Sequence, residues 1–68
     1  MQIKVGRMPG RPRPIQVEEG ITAAEALGAC GHELTSGLEI RINGEPAQAD
    51  QQVSDGDRVF LVAAVKGN

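Results

Sequence analysis

Few residues in this 68-residue chain carry chemistry, and they are scattered. Asp55 and Asp57 flank Gly56, and two carboxylates so close raise an acid–base reading. An Asp-Gly-Asp turn explains the same residues without catalysis, because Asp side chains bond nearby backbone in turns. His32 has no Ser, Cys or carboxylate at a spacing that would make it a base, and reads as a loop histidine. Cys30 is the single cysteine. It forms no intramolecular disulfide, belongs to no zinc spacing and excludes four-cysteine iron–sulfur ligation. Lys4, Arg7, Arg11 and Arg13 are four of the seven cations. They offer about four phosphate contacts at most, with no recognition helix and no aromatic interleaving. A solvated loop that blunts aggregation is the plainer account. Phe60 is the sole aromatic residue, so a stacking platform for single-stranded nucleic acid is missing. Two features stay open. One is the chain end Lys66-Gly67-Asn68. The other is the surface around Phe60. No catalytic residue, cofactor or metal is expected, and the chain is not expected to be an enzyme.

The elements that must position these features are small. A chain of this size buries about 60% of the surface that its unfolded form exposes. Ile3, Val5, Ile15, Val17, Ile21, Leu27, Leu34, Leu38, Ile40, Ile42, Val53, Val59 and Leu61 suffice for one continuous core, with little left to line a deep cavity. The net charge of −2 points to solubility, not to a polyanionic partner. No apolar run approaches the roughly 18 residues of a membrane span, and no signal-peptide stretch opens the chain. Without disulfide or metal staples the composition fits a reducing compartment, so a cytoplasmic location is expected.

Residues 2–7 alternate, with Ile3 and Val5 on one face, and predict a strand. Pro9-Gly10 suits the centre of a type II turn. Arg11, Pro12, Arg13 and Pro14 prolong the exposed connection, and Ile15 and Val17 resume the alternation. Thr22-Ala-Ala-Glu25 is a capping box. Ala23, Ala26, Leu27 and Cys30 then form one apolar stripe of a short helix, which Gly31 stops. Leu34 anchors the polar loop that follows. Residues 38–42 alternate again, and Asn43-Gly44 is a strong hairpin signal. Pro46 places the return strand at a sheet edge. Residues 50–57 are loop, 58–65 form the most apolar strand, and 66–68 are a flexible tail with nothing to pack against.

The order is ββαββ with an irregular crossing before the last strand. The first and last strands are expected to run parallel at the sheet centre, which accounts for the apolar last strand. The fold class is α+β: a mixed four- to five-stranded sheet with one helix on one face, in one domain over residues 1–65. If Val59 and Leu61 face the core, Phe60 and Val62 face outward. Lys4, Glu39 and Arg41 share that side. An exposed Phe and Val rimmed by charges is how a protein-binding patch is built.

Across its length the chain resembles the β-grasp sulfur-carrier family, that is, the small subunit of molybdopterin synthase and the thiamin-biosynthesis sulfur carrier, with a ubiquitin-like fold. The matching segments are Ile3-Lys-Val5, Val17-Glu-Glu-Gly-Ile-Thr22, Ala24-Glu-Ala-Leu27, Ile42-Asn-Gly-Glu-Pro46, Val53-Ser-Asp-Gly-Asp57 and Val59-Phe-Leu61. The Asp-Gly-Asp turn before an apolar last strand is also found in other β-grasp modules. The resemblance implies a carrier whose terminal glycine carboxylate is adenylated by an activating enzyme and then becomes a thiocarboxylate or a conjugate. It also implies a sulfur-accepting enzyme subunit as partner. A Gly-Gly end threads a narrow channel because glycine lacks Cβ. Gly67 matches the first glycine, and Asn68 stands in place of the second. Carrier use of this tail therefore requires that Asn68 be trimmed, or that the partner accept Asn. The alternative is a β-grasp interaction module that uses the outer sheet face and is not conjugated.

Overall fold

The computed structural model describes residues 1–64. Its elements are β1 (Gln2–Arg7), β2 (Arg13–Gln16), α1 (Ala23–Ala29), β3 (Leu38–Ile42), β4 (Glu45–Ala47) and β5 (Arg58–Ala63). The strands form one sheet in the order β2-β1-β5-β3-β4. β1 and β5 pair in parallel, and the other neighbours are antiparallel. Strand β5 is thus central, as its run of apolar residues predicts. Val65, expected to end that strand, and the tail 66–68 lie outside the described residues.

One face of the sheet makes the core. Ile3, Val5, Ile40, Ile42, Val59 and Leu61 pack there against Ala23, Ala26 and Leu27 of the helix and against Val53. Cys30 is partly buried at the edge of this cluster. Helix α1 has seven residues, too few to persist without the sheet beneath it. Thr22 caps it: Glu25 N donates to Thr22 Oγ1 at 3.2 Å, and Thr22 N donates to Glu25 Oε1 at 3.0 Å. The crossing segment closes the remaining amides. Ala23 N donates to Gln51 O at 2.8 Å and Ala24 N to Ala49 O at 3.0 Å. Those are donors that a helix start would otherwise leave orphaned.

Four sequence expectations change. The connection after β1 is shorter than read, because Arg13 and Pro14 already belong to β2, with Pro14 opposite Lys4. β2 is a sheet edge, where a missing N–H costs least. Val17 falls just beyond the strand, yet its amide still reaches Met1 O at 2.9 Å. The Pro9-Gly10 type II turn does not form, since Gly10 is not in the left-handed region that its third position requires. Gly10 is needed for space instead: a Cβ there would sit 2.6 Å from Arg7 O. Leu34 does not anchor its loop and stands 47% exposed.

Candidate functional site

The two carboxylates of the Asp-Gly-Asp turn are spent on backbone. Asp55 Oδ1 accepts from Gln2 N at 2.9 Å, and Asp57 Oδ2 accepts from Ser54 N at 2.7 Å. Asn43 Nδ2 donates to Asp57 Oδ1 at 2.9 Å, while Asn43 Oδ1 accepts from Arg58 N at 3.0 Å. This network ties the β3–β4 turn to the start of β5. It positions strands and offers no acid–base pair. Among the described residues no group of three or more His, Cys, Asp and Glu is placed to hold a metal ion. His32 and Cys30 are each partly buried. Arg7, Arg11 and Arg13 are exposed. Among the described residues no helix is long and apolar enough to cross a membrane.

The outer face of the sheet carries the candidate site. Val59 and Leu61 are fully buried, so alternation turns Arg58, Phe60 and Val62 to the other side. The register sets their neighbours: Phe60 lies between Gly6 on β1 and Arg41 on β3, and Val62 lies beside Glu39. Both apolar residues are half-buried. Met8 completes the floor. Its amide donates to Leu61 O at 3.0 Å, extending the β1–β5 ladder by one residue, and its side chain stands 53% exposed. Met8, Phe60 and Val62 line an open groove of about 520 Å³, walled by Arg41, Asn43, Gly44 and Arg58.

Two contacts shape this groove. A Cβ on Gly6 would stand 3.0 Å from Phe60 Cε1 and 3.0 Å from Pro12 Cα, so the bare backbone of Gly6 leaves the space that ring and loop occupy. Arg41 is held by its own strand: Nη1 donates to Gly44 O at 2.9 Å, and Nη2 lies 3.4 Å from Glu39 Oε2. Of the five residues expected on this face, Phe60, Val62 and Arg41 line the groove and Glu39 orients Arg41. Lys4 is exposed opposite Arg58, one cross-strand row away from Phe60. The other site residues expected, Gly67 and Asn68, lie outside the described residues.

Sequence reasoning missed Met8, Gly6 and Arg58, and read Asn43 and Gly44 only as a hairpin turn. A glycine inside a strand signals close approach by a neighbour, so Gly6 was within reach. Arg58 follows from alternation once Phe60 is placed outward. Met8 carries no such signal, because its position depends on where the β1–β2 loop runs.

The family model described as the ThiS family matches residues 7–67. Among curated proteins none matches the chain in sequence. Solved structures are similar in fold. SAMP1 from Haloferax volcanii has a TM-score of 0.79 at 19% identity, with all of both chains covered. A chain from the protein–protein complex of subunits 1 and 2 of molybdopterin-converting factor from Helicobacter pylori 26695 has 0.66 at 16%, also over all of both chains. Caldiarchaeum subterraneum ubiquitin has 0.61 at 19%, over 100% of this chain and 98% of that one. The fold is the ubiquitin-like β-grasp.

Proposed function

Because the chain belongs to the ThiS family, we propose that it is a carrier whose C-terminal carboxylate is activated by an adenylating partner seated on the outer sheet face, and not itself a catalyst. The observation that carries this reading is the place of the groove. Its floor is built on β5, the strand that leads toward the C-terminus. Ala64 is the last described residue, and its amide donates to Gly37 O at 2.8 Å. Covalent geometry keeps Asn68 within about 14 Å of it, at roughly 3.5 Å per residue. A partner that grips Phe60 and Val62 therefore has Gly67 and Asn68 within a short reach of that grip.

The chemistry belongs to the partner. A carboxylate oxygen attacks the α-phosphorus of ATP and pyrophosphate leaves. A sulfide sulfur then attacks the acyl carbon and AMP departs, leaving a thiocarboxylate. The chain contributes an end without bulky side chains at Gly67 and a rigid handle that holds the partner in register. Asn68 is either removed beforehand or accepted as the acyl residue. A location in the cytoplasm, where ATP is available, fits this role.

Intact-mass spectrometry of the protein from its native host tests the proposal. Loss of Asn68, or exchange of one C-terminal oxygen for sulfur, is expected. A chain that stays full-length and all-oxygen contradicts it. The second reading, an interaction module with an inert tail, is favoured by the groove alone. It predicts that unmodified chain together with loss of partner binding in Phe60→Ala.

A further inference from the structure

The outer face differs in charge from the rest of the molecule. On the strands around the groove Lys4, Arg41 and Arg58 stand against Glu39 alone, which leaves the face at about +2 (counting formal charges). A chain of net charge −2 therefore carries −4 elsewhere. Glu39 is already within 3.4 Å of Arg41, and Asp57 at the end of the sheet is bonded by Asn43 and the Ser54 amide. Among the described residues neither Arg58 nor Lys4 makes an ion pair, and both are exposed. Between these cations lies the apolar floor of Met8, Phe60 and Val62.

We infer that the partner surface received here is an acidic one: a protein segment that inserts an apolar side chain into the groove and sets carboxylates against Arg58, Lys4 and Arg41. This inference rests on the proposed use of the outer face and specifies the chemistry of its occupant. The apolar floor supplies most of the affinity, since exposed ion pairs are weak. The cations supply orientation and on-rate, and they reject a basic partner by like-charge contact. A nucleic acid is the poorer occupant, because one half-buried aromatic ring offers no run of stacking surfaces.

Backbone amide shifts in a ¹⁵N NMR titration test this on the full chain. Three probes are used: a hexapeptide with a Leu-Phe centre flanked by Glu and Asp, the same centre flanked by Lys and Arg, and an oligothymidylate. The acidic peptide is expected to move amides at and around Met8, Arg41, Arg58, Phe60 and Val62, and to bind less well as salt rises. Arg58→Glu should weaken it about five- to tenfold. Phe60→Ala should weaken both peptides at the groove. Equal or stronger binding of the basic peptide or of the oligonucleotide overturns the inference while leaving the outer face as the docking site. Shifts confined to the helix side, or no shifts with either peptide, overturn the inference and the use of this face together. None of these outcomes depends on the fate of the C-terminal carboxylate.

Discussion

At the residue scale the groove depends on an atom that is not there. Gly6 has no Cβ, and the space that a Cβ would claim lies 3.0 Å from Phe60 Cε1 and from Pro12 Cα. Gly6→Ala should therefore push the ring toward the groove at an overpacking cost of about 1–3 kcal/mol. Urea unfolding reads that cost, and weaker partner binding than stability alone explains reads the displaced ring. The helix cap gives a second prediction. The Thr22 amide and then its hydroxyl, each 3.0 Å from Glu25 Oε1, hold the Glu25 carboxyl below its usual range. A carboxylate with a depressed pKa stabilises the fold fully above its ordinary value of 4.5 and loses that contribution as the pH falls below it. Thr22→Ala should cost about 1 kcal/mol at neutral pH. The difference from native should shrink in unfolding curves as the pH is lowered below 4.5, because protonation of Glu25 removes the bonds its carboxylate accepts from Thr22.

At the element scale the hairpin between β3 and β4 does more than reverse the chain. Asn43 sits at φ 54, and its side chain bridges Asp57 and the amide of Arg58. Asn43→Gly keeps the turn and loses the bridge, so it should cost about 1–2 kcal/mol. Asn43→Ala adds the strain of a left-handed alanine and should cost about 1–2 kcal/mol more. Equal unfolding midpoints for the two variants would contradict this division. The boundaries of β1 and β3 and the helix cap were legible in the sequence because alternation and capping are local rules. The start of β2 was not, since only its pairing with Lys4 makes Arg13 and Pro14 part of a strand. The failed type II turn and the exposed Leu34 have the same origin: both depend on where distant backbone runs. Three of the seven residues that line the groove, Phe60, Val62 and Arg41, were legible from strand alternation. Met8 was hidden because a loop, and not a periodic element, carries it there.

At the scale of the whole molecule the fold separates two roles. One sheet face holds the helix and the core, and the other is left with a groove whose floor lies on the central strand. On our account that arrangement joins a docking surface to a short chain end, and the surface, not the end, selects the partner. ATP–pyrophosphate exchange by an adenylating enzyme of the same host, with the native chain and with Phe60→Ala as substrates, tests that claim most directly. We predict exchange that depends on the native chain, and a KM raised about tenfold or more in Phe60→Ala with kcat little changed. An unaltered KM, or no chain-dependent exchange at all, would contradict it.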